Sequence, residues 1–304
     1  MLDVVDKQSP GTAGTIGFVG LGAMGLPMAR NLLARGFAVR GYDLRAAAGE
    51  SLAEAGGHPA SSVADAAAGA DTLILMVVNA AQADAALFAQ GGLDALRSGG
   101  TVVLMSTCPP TAVERLAERV EAAGRRFVDA PVSGGMVGAV AGSLTIMAAG
   151  PAATVASVRP ALDALGSKVV HVGERPGQGA MVKTVNQLLC GVHIAVAAEA
   201  LSLAGKVGID AGVMLDILGG SAASSWMLRD RGPRMVQAEP SVTSAVDIFV
   251  KDLGIVLEAG RDIKAALPLA AVAHQMFLAT SGRGDGAADD SQVIRAYKAL
   301  NGQG

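Results

Sequence analysis

The stretch TIGFVGLGAMG, residues 15–25, constrains the fold more than any other part of the chain. Thr15–Gly20 is a short apolar run ending in glycine and predicts a β-strand. Gly20-Leu21-Gly22-Ala23-Met24-Gly25 then forms a G-x-G-x-x-G, and Met24–Arg35 carries helical periodicity that stops at Gly36. A glycine motif that follows a strand and opens a helix within a βαβ unit is the pattern of a dinucleotide site, whereas elsewhere it would be a plain turn. The first glycine permits the tight turn, the second lets a pyrophosphate approach, and the third lets helix and strand pack closely. The helix N-terminus then faces the phosphates. Asp43 ends the second strand, Phe37–Tyr42, at the distance where a carboxylate accepts bonds from ribose hydroxyls. It would repel a 2′-phosphate, which favours NAD. Arg45, two residues on, is either a solvated charge or a holder of that phosphate, so NADP stays as the alternative.

Strands and helices keep alternating. Further strands are predicted over Asp71–Val78, Thr101–Ser106, Arg126–Asp129, Ser143–Ala149 and Lys168–Val172. Helices are predicted over Ser51–Ala55, Ala81–Phe88, Pro110–Ala123 and Thr154–Leu165. DTLILMVV lacks polar alternation, as a strand of a parallel sheet should. After Gly179 the pattern is helical only, over about 180–206, 211–219, 225–237, 244–262, 268–281 and 289–300. The fold class is therefore α/β, a Rossmann-type doubly wound sheet followed by an all-α domain. The expected divisions are a loose arm over 1–14, a dinucleotide-binding domain over 15–177, and a helical substrate and oligomerisation domain over 178–304.

Composition removes other classes. Aromatics make up 3% and the net charge is −3, so neither base stacking nor a basic field serves nucleic acid. The apolar stretch near 188–198 is too short and interrupted for a membrane span. Residues 1–14 lack the apolar region of a signal peptide, which points to the cytoplasm. Cys108 and Cys190 read as reduced core thiols, and His193 and His274 as satisfied core histidines. No metal-ligand spacing and no G-x-S-x-G hydrolase elbow is present.

Three further motifs carry polar groups into apolar surroundings. Lys183 is the one charged residue between Arg175 and Glu199. Lys183, Asn186 and Gln187 share a helix face at i, i+3 and i+4. Such a stripe fits a site facing a cleft, where a desolvated lysine works as a general acid/base. The alternative is a lysine snorkelling at a helix end. In DAPVSGG, residues 129–135, Ser133, Gly134 and Gly135 expose backbone amides and make either a carboxylate cradle or an ordinary strand–helix turn. In FVKDLG, residues 249–254, the pair Lys251-Asp252 interrupts an amphipathic helix and taken alone reads as a solvated face.

These motifs in this order, from about Thr15 to Lys298, resemble the β-hydroxyacid dehydrogenase family. The resemblance implies that Gly20, Leu21, Gly22, Ala23 and Met24 bind the cofactor, joined by Asp43, Val77, Val78, Thr107 and Lys251. Ser106-Thr107 would lie beside the nicotinamide. It implies substrate binding by Ser133, Gly134 and Gly135, and catalysis by Lys183. The family's second site amide falls at Asn186, with Gln187 where some members have another Asn, so either amide is open to substrate. Segments such as VNQLLCGVHIAVAAEAL, SSWM, SAVDIFVKDLGIVLEAG and DDSQVI are similar to the L-threonate dehydrogenase branch. That branch implies NAD-dependent oxidation of the C2 hydroxyl of a four-carbon sugar acid to a 2-oxo-tetronate. The alternatives are a 3-hydroxyisobutyrate dehydrogenase or tartronate semialdehyde reductase, and a binding protein that keeps the fold without catalysis. Imine reductases share the architecture but typically lack the lysine. SSWMLRDRGP adds charges of this chain's own, expected near the pocket rim. The implied partners are a small hydroxyacid and further copies of the chain, as homodimer or homotetramer, with no nucleic acid and no membrane.

Overall fold

The computed structural model describes residues 14–303, so the expected arm over 1–14 lies outside them except for Gly14. The strands are β1 (Thr15–Val19), β2 (Ala38–Tyr42), β3 (His58–Pro59), β4 (Thr72–Leu75), β5 (Thr101–Leu104), β6 (Arg126–Asp129), β7 (Val132–Ser133), β8 (Thr145–Ala149) and β9 (Lys168–Gly173). They form one sheet in the order β3-β2-β1-β4-β5-β6-β8-β7, with β9 also on β8. Pairings from β3 through β6 are parallel. β8 runs antiparallel to β6 and β7, and parallel to β9. The jump from β1 to both β2 and β4 is the topological switch of a doubly wound sheet.

Alternate residues of the same strands feed two cores. Ile16, Phe18, Ile74, Val103 and Val128 pack with Met28, Leu32, Leu52, Leu162 and Leu165 on one face. Leu73, Leu75, Val102, Leu104 and Phe127 pack with Val63, Leu87, Val113 and Leu116 on the other. Covering both faces is what lets the central strands be apolar throughout. Short elements escape sequence reading. β3 and the helix Val63–Ala67 lie in a short, alanine-rich stretch with no clear period, the helix marked only by its Ser62 cap, whose hydroxyl accepts from Asp65 N–H (3.0 Å).

Contacts divide the chain into a unit ending at Lys183 and a unit starting at Thr184. The second unit holds Ala211–Gly220, Trp226–Met235, Val246–Asp262, Pro268–Thr280, a 3-10 turn Asp290–Val293 and Ile294–Leu300. The helix Gln178–Lys206 begins in the first unit and continues into the second. Its 29 residues are long and apolar enough to cross a membrane, contrary to the shorter span expected. Ile194, Ala198 and Leu201 on it are instead buried in the second unit's core with Phe249, Leu253, Phe277 and Val293. The Phe249 and Phe277 rings stack with centroids 5.2 Å apart. At Gly191 a Cβ would stand 2.8 Å from the Leu253 side chain, so these two helices touch where only glycine fits.

Of the three charges of SSWMLRDRGP, Asp230 and Arg231 enter an ion-pair network, while Arg229 is exposed and donates to Ser224 Oγ (2.6 Å). Arg231 is buried and bidentate to Asp290, with Nε and Nη2 each 2.9 Å from a carboxylate oxygen, and it also pairs with Asp230. Arg234 Nε donates to Asp289 Oδ1 (3.0 Å), and Asp289 Oδ2 accepts from Thr243 N–H (2.9 Å). The network fastens the turn starting at Asp290 to the helix Trp226–Met235. Removing one member of a buried pair strands the other charge, so Arg231→Ala should cost about 3–5 kcal/mol in urea unfolding. A loss below about 1 kcal/mol, the value of a surface pair, would mean the pair is hydrated in solution.

Candidate active site

The glycine loop joins β1 to the helix Gly25–Ala34. Gly20 has φ 94°, and a Cβ there would stand 2.4 Å from the Met76 carbonyl oxygen. At Gly25 a Cβ would fall 1.8 Å from the Gly20 carbonyl oxygen. Both glycines are therefore demanded by the chain's own packing. Gly22 differs, because the nearest atom to its Cβ would be an Arg45 guanidinium nitrogen at 3.9 Å. Nothing in the chain's own packing requires glycine there, which leaves room for a ligand to approach the backbone. A groove of about 390 Å³ opens at this place, lined by Leu21, Gly22, Ala23, Leu26 and Arg45 among others. Met24 is half-buried and immediately precedes the helix.

Asp43 follows β2. Its Oδ2 accepts from Leu21 N–H (2.8 Å) and its Oδ1 from the Arg45 N–H (2.9 Å) and Nε (3.0 Å). Burial pushes its pKa up, but the hydrogen bonds from Arg45 and Leu21 outweigh this and hold the carboxyl below its usual range. Arg45 also donates to the Leu21 carbonyl (3.1 Å). The arginine is thus tied to Asp43 and the loop.

At the end of β4, Val77 N–H donates to Ser106 Oγ (2.9 Å), which joins it to the end of β5 and so to Thr107. Val78 is half-exposed, and its N–H donates to Gln82 Oε1 (2.9 Å). The carboxyl ends of parallel strands at a switch point are where such sheets bind ligands. In DAPVSGG the structure adds a two-residue strand that the sequence reading did not predict, with Ser133 of β7 opposite Thr145. Gly134 and Gly135 both have positive φ, 129° and 60°, and the helix Gly135–Ala141 begins there.

Asp129 ends β6 with no solvent exposure. Its Oδ2 accepts from Gly177 N–H (3.0 Å) and Ala180 N–H (2.7 Å), at the start of Gln178–Lys206. Burial raises its pKa to about 7, against the lowering by the Ala180, Gly177 and Gly179 amides. Lys183 follows in the second turn of that helix and is 7% exposed, so it is not a snorkelling side chain.

In the second unit, Gln187 is buried and its Nε2 donates to Asp252 Oδ2. Lys251 Nζ lies 2.7 Å from Asp252 Oδ1. Asp252 is 2% exposed, so the Lys251-Asp252 pair is not the solvated face that its sequence setting favoured. Asn186 is half-buried, and its Nδ2 donates to Gln187 Oε1 (2.9 Å). The two amides are thus unequal: Gln187 holds Asp252, and Asn186 leans on Gln187. Sequence reading missed Asp129 and Asp252 as site-forming carboxylates. For Asp129 the available signal was its apolar neighbours Phe127, Val128 and Ala130, whereas Asp252, beside Lys251, reads locally as half of a charged pair. His274 Nε2 meets the Val250 carbonyl (3.0 Å), as a satisfied core histidine should.

Comparison with known proteins agrees with this architecture. Residues 15–173 match a family described as the NAD binding domain of 6-phosphogluconate dehydrogenase. Residues 177–297 match one described as NAD-binding of NADP-dependent 3-hydroxyisobutyrate dehydrogenase. An L-threonate dehydrogenase of Cupriavidus necator is 43% identical, over 94% of this chain and 96% of its own. The chain belongs to the 3-hydroxyisobutyrate dehydrogenase-like β-hydroxyacid dehydrogenase family. As a β-hydroxyacid dehydrogenase it is also similar to the L-threonate dehydrogenase of Haemophilus influenzae, 39% identical over 94% of this chain and 96% of that one. A solved structure titled 3-hydroxyisobutyrate dehydrogenase, from Salmonella typhimurium, superposes with a TM-score of 0.89 at 40% identity, covering 93% of this chain and 99% of that one. The protein is therefore an NAD(P)-dependent hydroxyacid dehydrogenase, L-threonate dehydrogenase-like.

The loop geometry separates two substitutions. Gly22→Ala should keep the melting temperature and lose cofactor binding in titration calorimetry, because its Cβ meets only the ligand's space. Gly25→Ala should lower the melting temperature, because its Cβ overlaps the Gly20 carbonyl. Equal melting temperatures for both variants would contradict this division. Asp129 adds a pH dependence. A carboxyl whose folded pKa is raised stabilises the fold fully below its unfolded pKa, and that share is lost as pH rises through about 7. Asp129→Asn should flatten the fall in melting temperature between about pH 4 and 7. An unchanged slope would show that Asp129 ionises normally.

Proposed function

We propose that the protein oxidises the C2 hydroxyl of a four-carbon sugar acid of the L-threonate type, with NAD as hydride acceptor. The observation that carries the reading is one buried lysine on a helix otherwise without charge from Gln178 to Ala198. A lysine amine held largely out of water can serve as a general acid/base. Lys183 in its neutral form accepts the proton of the substrate hydroxyl. In the reverse direction its ammonium returns the proton. When bound, the nicotinamide supplies the site that takes or gives the hydride. Ser133 and the amides of Gly134 and Gly135 hold the substrate carboxylate. Asn186 orients the substrate, braced by Gln187, whose own amide is committed to Asp252.

Gly20, Leu21, Gly22, Ala23 and Met24 hold the pyrophosphate, with Val77, Val78 and Thr107 toward the nicotinamide and Lys251 as a further contact. Asp43 accepts the ribose hydroxyls and selects NAD over NADP. Arg45 is engaged by Asp43 and so counts less toward a 2′-phosphate. The 43% identity to an L-threonate dehydrogenase supports this substrate class. A second reading, 3-hydroxyisobutyrate oxidation, is favoured by the likeness to the 3-hydroxyisobutyrate dehydrogenase of Salmonella typhimurium. Homodimer or homotetramer formation fits the exposed apolar residues along the long helix, among them Val185, Leu189, Val196 and Leu203.

Absorbance at 340 nm with NAD or NADP separates the readings. L-threonate, D-threonate, D-erythronate, 3-hydroxyisobutyrate and D-glycerate form the panel. Turnover of L-threonate with NAD is expected, and turnover of 3-hydroxyisobutyrate alone would overturn the sugar-acid reading. Lys183→Ala should keep cofactor affinity and lose at least about 10²-fold in kcat. Asp43→Asn should raise the KM for NAD by about 10-fold, the value of a hydrogen bond to a charged group, and narrow the preference over NADP. An unchanged NAD to NADP ratio would remove Asp43 from cofactor selection.

A further inference from the structure

The helix that carries Lys183 has no acidic residue in its own first turn. A helix N-terminus leaves N–H groups unpaired and carries partial positive charge, so it needs an acceptor from somewhere. That acceptor comes from the end of β6, 51 residues back in sequence from Ala180. Asp129 Oδ2 takes the N–H of Gly177 at 3.0 Å and of Ala180 at 2.7 Å. Its Oδ1 is buried with no hydrogen-bond partner, so this oxygen contributes nothing that would explain burying the group. The contact is also close. A Cβ on Gly179 would stand 2.5 Å from the Met147 carbonyl oxygen and 2.9 Å from Asp129 Oδ2. The first turn of the helix is thus pressed onto the end of β6 and the middle of β8 and bonded to β6 through one carboxylate oxygen. Lys183 lies at i+3 from Ala180 and i+4 from Gly179, so it stands over this anchored turn.

We infer that Asp129 is a positioning residue, fixing the register and direction of the first helical turn so that Lys183 is presented in its working orientation. This rests on the acid/base reading of Lys183. An unpaired buried carboxyl oxygen is an expensive feature for a fold to retain, and a neutral side chain would pack as well if filling space were the only need. Misplacing a reacting group by about 1 Å can cost about 10²-fold in rate, so a small drift of the turn is enough to be seen in kcat.

The test is a double-mutant cycle on the full chain with NAD, using both L-threonate and 3-hydroxyisobutyrate as substrates. Asp129→Ala should lose about 10-fold or more in kcat, with substrate KM and cofactor Kd near wild type. In a Lys183→Ala background the same substitution should lose little more, because it acts through the missing lysine. Asp129→Asn, whose amide oxygen still accepts from both N–H groups, should regain most of the loss. Peptide hydrogen exchange should rise over residues 177–183 in Asp129→Ala and not elsewhere in the first unit. Wild-type kcat in folded Asp129→Ala, equal losses in both backgrounds, or exchange unchanged over 177–183 would each overturn the assignment. Near-normal turnover of Lys183→Ala would instead sink the acid/base reading, and this inference with it. If Asp129→Ala does not fold, Asp129→Asn and Asp129→Glu decide. Glu keeps the carboxyl group but moves the acceptor by one methylene, so it should be the slower variant, and the opposite order would overturn the assignment.

Discussion

One carboxylate oxygen of Asp129, sealed from solvent, receives the opening of a 29-residue helix. Much of what the chain can do hangs on that helix. It ends the α/β unit, enters the helical unit, and carries Lys183, Asn186 and Gln187 on the way. An apolar helix is easily formed but poorly specified in register, because its side chains resemble one another. Polar bonds at its start and at Gln187 supply the specification. The bond from Gln187 to Asp252 and the close approach of Gly191 to Leu253 fix the helix within the second unit, as Asp129 fixes its start within the first.

The glycine loop follows a similar logic with sterics in place of hydrogen bonds. Gly20 and Gly25 are held by the chain's own carbonyls, and Gly22 by nothing but open space. The first two make the turn that brings Asp43 against the Leu21 amide. The third leaves the backbone bare where a pyrophosphate would lie. Fold and function are thus divided among three glycines that look equivalent in the sequence.

Much of this is legible from residues alone, and the exceptions have physical causes. β6 runs Arg126–Asp129 as expected, its apolar pair Phe127-Val128 falling between the helix-ending Gly124 and Pro131. The helix from Gln178 starts two residues before its expected start near 180, within the ordinary fraying of helix ends. β3 and Val63–Ala67 were not legible, since two and five residues hold too little of any period. β7 hides inside a turn-forming sequence. The Arg231–Asp290 pair spans 59 residues, so nothing local marks either partner as buried. Asp129 and Asp252 were hidden for the opposite reason. Each sits inside a motif whose neighbours drew the interpretation, the serine and glycines after Asp129 and the lysine before Asp252.

The central claim is that the amine of Lys183 moves the substrate proton. The most direct measurement is turnover of Lys183→Ala, with saturating cofactor, as methylamine is added at fixed pH and ionic strength. A free amine entering the vacated space should restore the rate in proportion to its neutral form, from a base at least about 10²-fold below wild type. A variant that turns over at the wild-type rate without added amine would contradict the claim and return the search for the proton carrier to the other residues around the site.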